Sequence, residues 1–198
     1  MNIAIVCNEK NHHKYFAYKI YKNFNVKLIF HPKGKSTFEK LREKPLLKYG
    51  LFYFLFKLMS VIFNIFNPNS LQNQLKREEK KYFSRYIPLY ETIPEKIIKI
   101  VDSVNTPSSI ELIKKESIDV ICFLGGEIAN IELIKSAKIT CLNYHSGLSP
   151  YYNGNKTTFQ AVSDFKPNFC GGTLMIMNER IDGGRILSHY FSPIDEED

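Results

Sequence analysis

Apolar and polar positions follow two rhythms along the chain, and the switches between them outline its elements. Asn2 to Val6 is a short apolar run, His12 to Asn23 carries helical spacing, and Val26 to Phe30 is a second β-like run. These predict an opening βαβ unit. The rhythm returns after Thr92, where Ser108 and Glu111 have the spacing of a capping box for a helix through Ser117. Ile118 to Leu124 reads as a buried strand and Gly125-Gly126 as its turn. A short helix over Asn130 to Ala137 and a strand over Ile139 to Asn143 follow. Helical spacing over Lys156 to Phe165 and strands over Cys170 to Asn178 and Arg185 to Phe191 complete the pattern. The alternation predicts one α/β domain over residues 1–198, with a Rossmann-like, mostly parallel sheet flanked by helices. Such sheets bind ligands at the carboxyl ends of their strands. Gly125 with Gly126, Asn143 with His145, and the segment Met177 to Asp182 all fall at such ends.

The stretch from Gly34 to Thr92 breaks this rhythm. It is aromatic and basic without evident strands, and predicts a helical insertion over residues 34–92. Within it, Leu46 to Phe66 is strongly apolar, but Lys48 and Lys57 interrupt it short of the roughly 20 residues that a membrane span needs. Gly50, Tyr53, Lys57, Ser60, Asn64 and Asn67 recur at steps of three and four, a narrow polar stripe on a helix with a broad apolar face. Two readings stay open for that face: packing on its own domain or on a second subunit, giving a homodimer, or lying in the plane of a membrane surface. The basic segment Leu75 to Tyr86 would meet anionic lipid in the second case.

Composition narrows the class. A chain of 198 residues can bury roughly 70% of its unfolded surface without disulfide or metal staples. Cys7, Cys122, Cys141 and Cys170 lie far apart in apolar runs without Cys-x-x-Cys spacing, so buried thiols in a reducing compartment are expected, and no metal. The N-terminus opens directly on an apolar strand with no basic leader, which predicts a cytoplasmic protein. A net charge of +7 favours anionic partners without choosing among them.

Candidate chemistry centres on Ile139 to Gly154 (ITCLNYHSGLSPYYNG). Asn143 and His145 stand two apart at the end of a strand, which points both side chains to one face, and Asp182 follows 37 residues after His145. An amide can donate to a developing oxyanion, an imidazole can donate or carry a proton, and a carboxylate can orient the imidazole or take the proton. Acyl transfer to an amine needs those services. His12 and His13 follow the first strand, where a ligand phosphate can lie, and are read as exposed helix-start residues. Glu127 has no evident acidic partner.

Asn143, His145, Leu148, Pro150, Tyr152 and Gly154, with Asp182, Gly184 and Ile186, resemble the two-part signature of the formyltransferases that use N10-formyltetrahydrofolate. Looser similarity spans Ser108 to Tyr190. The loop departs from the family's Pro-Ser-Leu-Leu-Pro, reading Ser146, Gly147, Leu148, Ser149, Pro150. The resemblance implies the formyltransferase fold, with Asn143 and His145 holding an oxyanion and Asp182 orienting the histidine and accepting a proton. It also implies a pterin slot between Gly125, Gly126, Glu127, Ile128 and Ala129 on one side and Met177, Asn178, Glu179 and Arg180 on the other. Tyr152, Asn153, Gly154 and Lys156 are the candidate substrate-binding residues, with Gly154 as a hinge and packing as the competing reading for Tyr152.

The acceptor is less constrained. A glycinamide ribonucleotide formyltransferase would cradle a phosphate on a glycine-rich turn after the first strand, and here that turn reads CNEKNHH. A methionyl-tRNA formyltransferase would carry a further C-terminal domain, and positive charge alone does not argue for nucleic acid. The aromatic, basic insertion resembles the sugar N-formyltransferase group. The expected partner is therefore a small-molecule amine, an amino sugar on a nucleotide carrier for surface polysaccharide synthesis. A catalytically idle folate-binding relative is the alternative from another class. Family members normally continue with further helices where this sequence reaches the acidic run Ile194 to Asp198, and two readings stay open: a short version of the family, or a chain from which the C-terminal family helices are missing.

Overall fold

The computed structural model describes residues 1–34, 59–60, 62–64 and 66–192. Most of the apolar segment Leu46 to Phe66, with Gly50, Tyr53 and Lys57 of its polar stripe, lies outside the described residues. Strand β1 (Asn2–Cys7), helix α1 (Asn11–Asn23) and β2 (Asn25–Pro32) form the expected βαβ unit. The end of the insertion supplies α2 (Leu71–Phe83) and the short α3 (Ile87–Tyr90). Then come β3 (Ile98–Val101), α4 (Pro107–Lys115), β4 (Val120–Leu124), α5 (Ile131–Ser136), β5 (Thr140–His145), α6 (Thr157–Ser163), β6 (Gly171–Ile176) and β7 (Arg185–Phe191).

The sheet runs β3-β2-β1-β4-β5-β6-β7. Its first five strands are parallel, and β6 and β7 are antiparallel. Alternation along β1 divides the core: Ala4 and Val6 pack with Phe30, Ile113, Ile121 and Leu133 on one face, and Ile3 and Ile5 pack with Ala17, Ile29, Tyr90 and Ile93 on the other. The chain leaves β1 for β2 and β3, then returns to place β4 on the opposite side of β1. That reversal opens a crevice at the carboxyl ends of β1 and β4, where a doubly wound sheet binds its ligand.

Two sequence expectations change. The helix after β3 does not open on a Ser108–Glu111 capping box. Thr106 is the N-cap, accepting from the Ser109 N–H at 3.3 Å, and Pro107 takes the first helical position, where its missing N–H costs nothing. Strand β3 was not expected from the sequence. It pairs Ile98 to Val101 with Ile29 to Pro32 at the sheet edge, where half-exposed positions blur the alternation.

Candidate active site

Strand β5 extends through His145, with Asn143 paired to Phe123 on one side and Met175 on the other, and His145 paired to Thr173. The two-residue period brings the amide and the imidazole to one face. Asp182 enters from the β6–β7 loop in a left-handed backbone conformation, φ 50°, one that Asp tolerates better than most residues. Its Oδ1 accepts from Asn143 Nδ2 at 3.4 Å and lies 3.5 Å from His145 Nδ1. Its Oδ2 accepts from the Gly154 N–H at 2.9 Å. One nearly buried carboxylate, 11% exposed, therefore joins the strand end to the loop.

The histidine is fixed from its other side as well. His145 Nε2 donates to the Tyr152 carbonyl at 2.9 Å, since a carbonyl can only accept, and this leaves Nδ1 facing Asp182. Gly147 makes room for the ring: a Cβ there would stand 2.7 Å from His145 Nε2 and 2.5 Å from the Tyr152 carbonyl oxygen. Thr173 holds the loop through its hydroxyl, which donates to the Gly147 carbonyl at 2.6 Å and accepts from the Ser149 N–H at 3.0 Å. Thr157 adds a hydroxyl hydrogen bond to the Ser146 carbonyl.

Asn143, His145 and Asp182 line a cleft of about 1150 Å³. Its walls include Gly125, Gly126, Glu127, Ile128 and Ala129 from the β4 turn, Met177, Asn178, Glu179, Arg180 and Asp182 from the β6–β7 loop, and Gly154. Gly125 and Gly126 turn with φ of 64° and 104°, conformations glycine adopts without strain. Asn178 braces its loop by accepting from the Arg180 N–H at 2.9 Å and donating to the Gly183 carbonyl at 3.0 Å. The Glu127 side chain is engaged elsewhere: its carboxylate accepts from the Ser103 hydroxyl at 2.8 Å and from the Val104 N–H, tying the β4 turn to the loop before α4.

Three of the expected substrate residues stand apart from this cleft. The Tyr152 ring is buried with Ala161, Phe169 and Cys170, its hydroxyl donating to Asp164 at 3.0 Å, so its share in the site is its carbonyl on His145. Asn153 accepts from the Ser149 hydroxyl at 2.7 Å, and Lys156 is an exposed residue at the start of α6 with φ 60°. Conversely, His12 and His13 are not exposed helix-start residues. His13 is 5% exposed and His12 pairs with Glu79 at 2.9 Å, because α2 packs over the start of α1, and both rings line the cleft. Tyr144, Gly147 and Thr173 were missed from the sequence, and His13 was noted there but read as exposed. Of the missed residues only Gly147 carried a signal, as the departure from the family loop.

The sequence model of the family described as formyl transferase matches residues 58–198. The chain belongs to the formyltransferase family. Among curated formyltransferases, the methionyl-tRNA formyltransferase of Listeria innocua is 34% identical over 113 residues, which is 57% of this chain and 33% of that protein. That of Staphylococcus epidermidis is 32% identical over 112 residues, also 57% of this chain and 33% of that protein. The matched part thus spans about a third of these relatives' length. Solved formyltransferase structures share the fold over nearly the whole chain. The phosphoribosylglycinamide formyltransferase of Bacillus halodurans superposes with a TM-score of 0.58 at 16% identity, covering 100% of this chain and 82% of that one. A sugar N-formyltransferase of a Shewanella species gives 0.55 at 18% identity, covering 99% and 58%.

Proposed function

We propose that the chain transfers a formyl group from N10-formyltetrahydrofolate to a primary amine, and that the amine belongs to a nucleotide-linked amino sugar. The observation that carries this reading is the convergence of Asn143, His145 and Asp182 on one cleft. The walls suit a pterin in kind. They offer apolar surface from Phe123, Leu124 and Met177 and backbone donors and acceptors from the two loops, with the volume a folate and a second substrate require.

The amine nitrogen attacks the formyl carbon, forming a C–N bond as the carbonyl π pair moves to oxygen. Asn143 Nδ2 donates to that oxyanion, and His145 adds a second donor at Nδ1 in its imidazolium form, since Nε2–H is already given to the Tyr152 carbonyl. The ammonium proton passes to Asp182, directly or through water, and the carboxylate keeps the ring oriented throughout. Collapse breaks the bond to N10, which takes up a proton, and leaves a formamide and tetrahydrofolate.

The sugar acceptor is supported by the glycine-free turn after β1 and by the fold shared with sugar N-formyltransferases. The fold shared with phosphoribosylglycinamide formyltransferases favours glycinamide ribonucleotide as the second reading. Tetrahydrofolate release with a panel of amino-sugar nucleotides, glycinamide ribonucleotide and Met-tRNA separates them. Turnover with none of the panel removes the enzymatic reading and leaves a folate-binding relative. Among the described residues no helix is long and apolar enough to cross a membrane. Exposed Met59, Ile62, Phe63 and Phe66 support peripheral contact with anionic lipid, and failure to float with anionic liposomes would remove that part.

A further inference from the structure

The turn between β1 and α1 is a part of the cleft wall to which formyl transfer gives no role. It sits where β1 and β4 run side by side, with His12 and His13 facing the cleft. Helix amino ends hold anions because their first N–H groups have no partner within the helix. Helix α1 begins with Lys10 at its N-cap, no capping side chain and no acidic residue in its first turn. Its anion arrives from another segment. Glu79 of α2 meets His12 Nδ1 at 2.9 Å, and the His12 backbone N–H faces the same carboxylate. Burial pushes the Glu79 pKa up, but hydrogen bonding and charge from His12 outweigh it and hold the carboxyl below its ordinary value.

His13 uses a further backbone donor of the turn. The Asn8 N–H donates to His13 Nδ1 at 3.0 Å, so the hydrogen of the neutral ring is on Nε2. The ring lies against the β4 turn, where a Cβ on Gly125 would come within 3.0 Å of Cε1. Burial first, then the charges of His12 and Lys10, push its pKa down to about 4, with His31 adding to the effect and Glu79 opposing it. The turn therefore presents a fixed, uncharged N–H donor beside an internal carboxylate. A phosphate would meet a neutral ring at His13 and, at His12, a ring and an N–H already held by the Glu79 carboxylate.

We propose that this turn is a subsite for an uncharged oxygen of the acceptor, such as a sugar hydroxyl or ether, with His13 Nε2–H as its donor and Glu79 as the internal anion that excludes a phosphate. The identity of the ligand rests on the formyl-transfer reading, whereas the tautomer and the anion selectivity do not. Imidazole 15N–1H NMR of the whole protein, titrated with inorganic phosphate, tests it. In the wild type His13 should hold the Nε2–H form at neutral pH, and millimolar phosphate should leave the His12 and His13 signals unmoved. In Glu79→Gln and Glu79→Ser, phosphate should move both signals and bind at least about tenfold more tightly, about 1.4 kcal/mol. Unshifted His31 and His145 resonances identify a folded variant, and two substitutions guard against one that fails to fold. A wild-type response to phosphate at these rings, an Nδ1–H tautomer for His13, or folded variants as indifferent as the wild type would overturn the proposal. Tetrahydrofolate release is assayed on the same samples, and its absence would count against formyl transfer while leaving the NMR outcomes interpretable.

Discussion

Asp182 touches each of the parts that the proposed reaction needs: Asn143 and His145 through Oδ1 and the Gly154 N–H through Oδ2. Losing its charge, or the imidazole beside it, should remove proton handling with little change in packing. His145→Ala and Asp182→Asn are each expected to lower turnover at least ~100-fold, and near wild-type rates in either would sink the assignment. Gly147 tests the geometry from another direction. A Cβ at this position would stand 2.7 Å from His145 Nε2 and from Thr157 Cγ2, so Gly147→Ala should displace the ring, costing about 1–3 kcal/mol in urea unfolding together with a fall in kcat. Asn143, His145 and Asp182 were legible in the sequence because strand period and motif spacing are local quantities. His13 and Tyr152 were not, because burial by α2 in one case, and inward rotation of a loop ring in the other, depend on segments far along the chain.

At the scale of elements, most strands and helices followed from periodicity, and the differences occur where one short signal competes with another. Ser108 and Glu111 match a capping box, but Pro107 fits the first helical position and so places the cap two residues earlier, at Thr106. Thr106→Ala should cost about 1 kcal/mol in chemical denaturation, whereas Ser108→Ala should change stability by no more than about 0.5 kcal/mol. A larger loss at Ser108 would restore the sequence-based boundary. β3 escaped for a related reason. Lys99 interrupts its apolar run, and only pairing with Ile29 to Pro32 of β2 distinguishes it from a loop.

At the scale of the molecule, the cleft is assembled from segments that a linear reading keeps apart, and acid should separate them. α2 reaches α1 through Glu79 on His12 and Phe83 on Tyr15, the turn after α2 adds Tyr86 on Tyr15, and Tyr90 meets His31 Nε2 at 2.6 Å beneath β2. His13 lies within this junction as a neutral ring, its pKa lowered from 6.5 to about 4. Between those values the unfolded chain binds a proton that the folded chain refuses, so stability rises with pH across the window and is lost as pH falls from about 6.5 toward 4. The shift corresponds to at most about 3 kcal/mol. The Glu79 pKa, held below its ordinary value, acts in the same sense at lower pH. Thermal unfolding from pH 7 to pH 4.5 should show a falling Tm, and His13→Gln, which has no ring to protonate, should flatten that slope even if it lowers Tm at pH 7. A slope unchanged by His13→Gln would mean that the ring is already accessible to protons, contrary to its burial beneath α2.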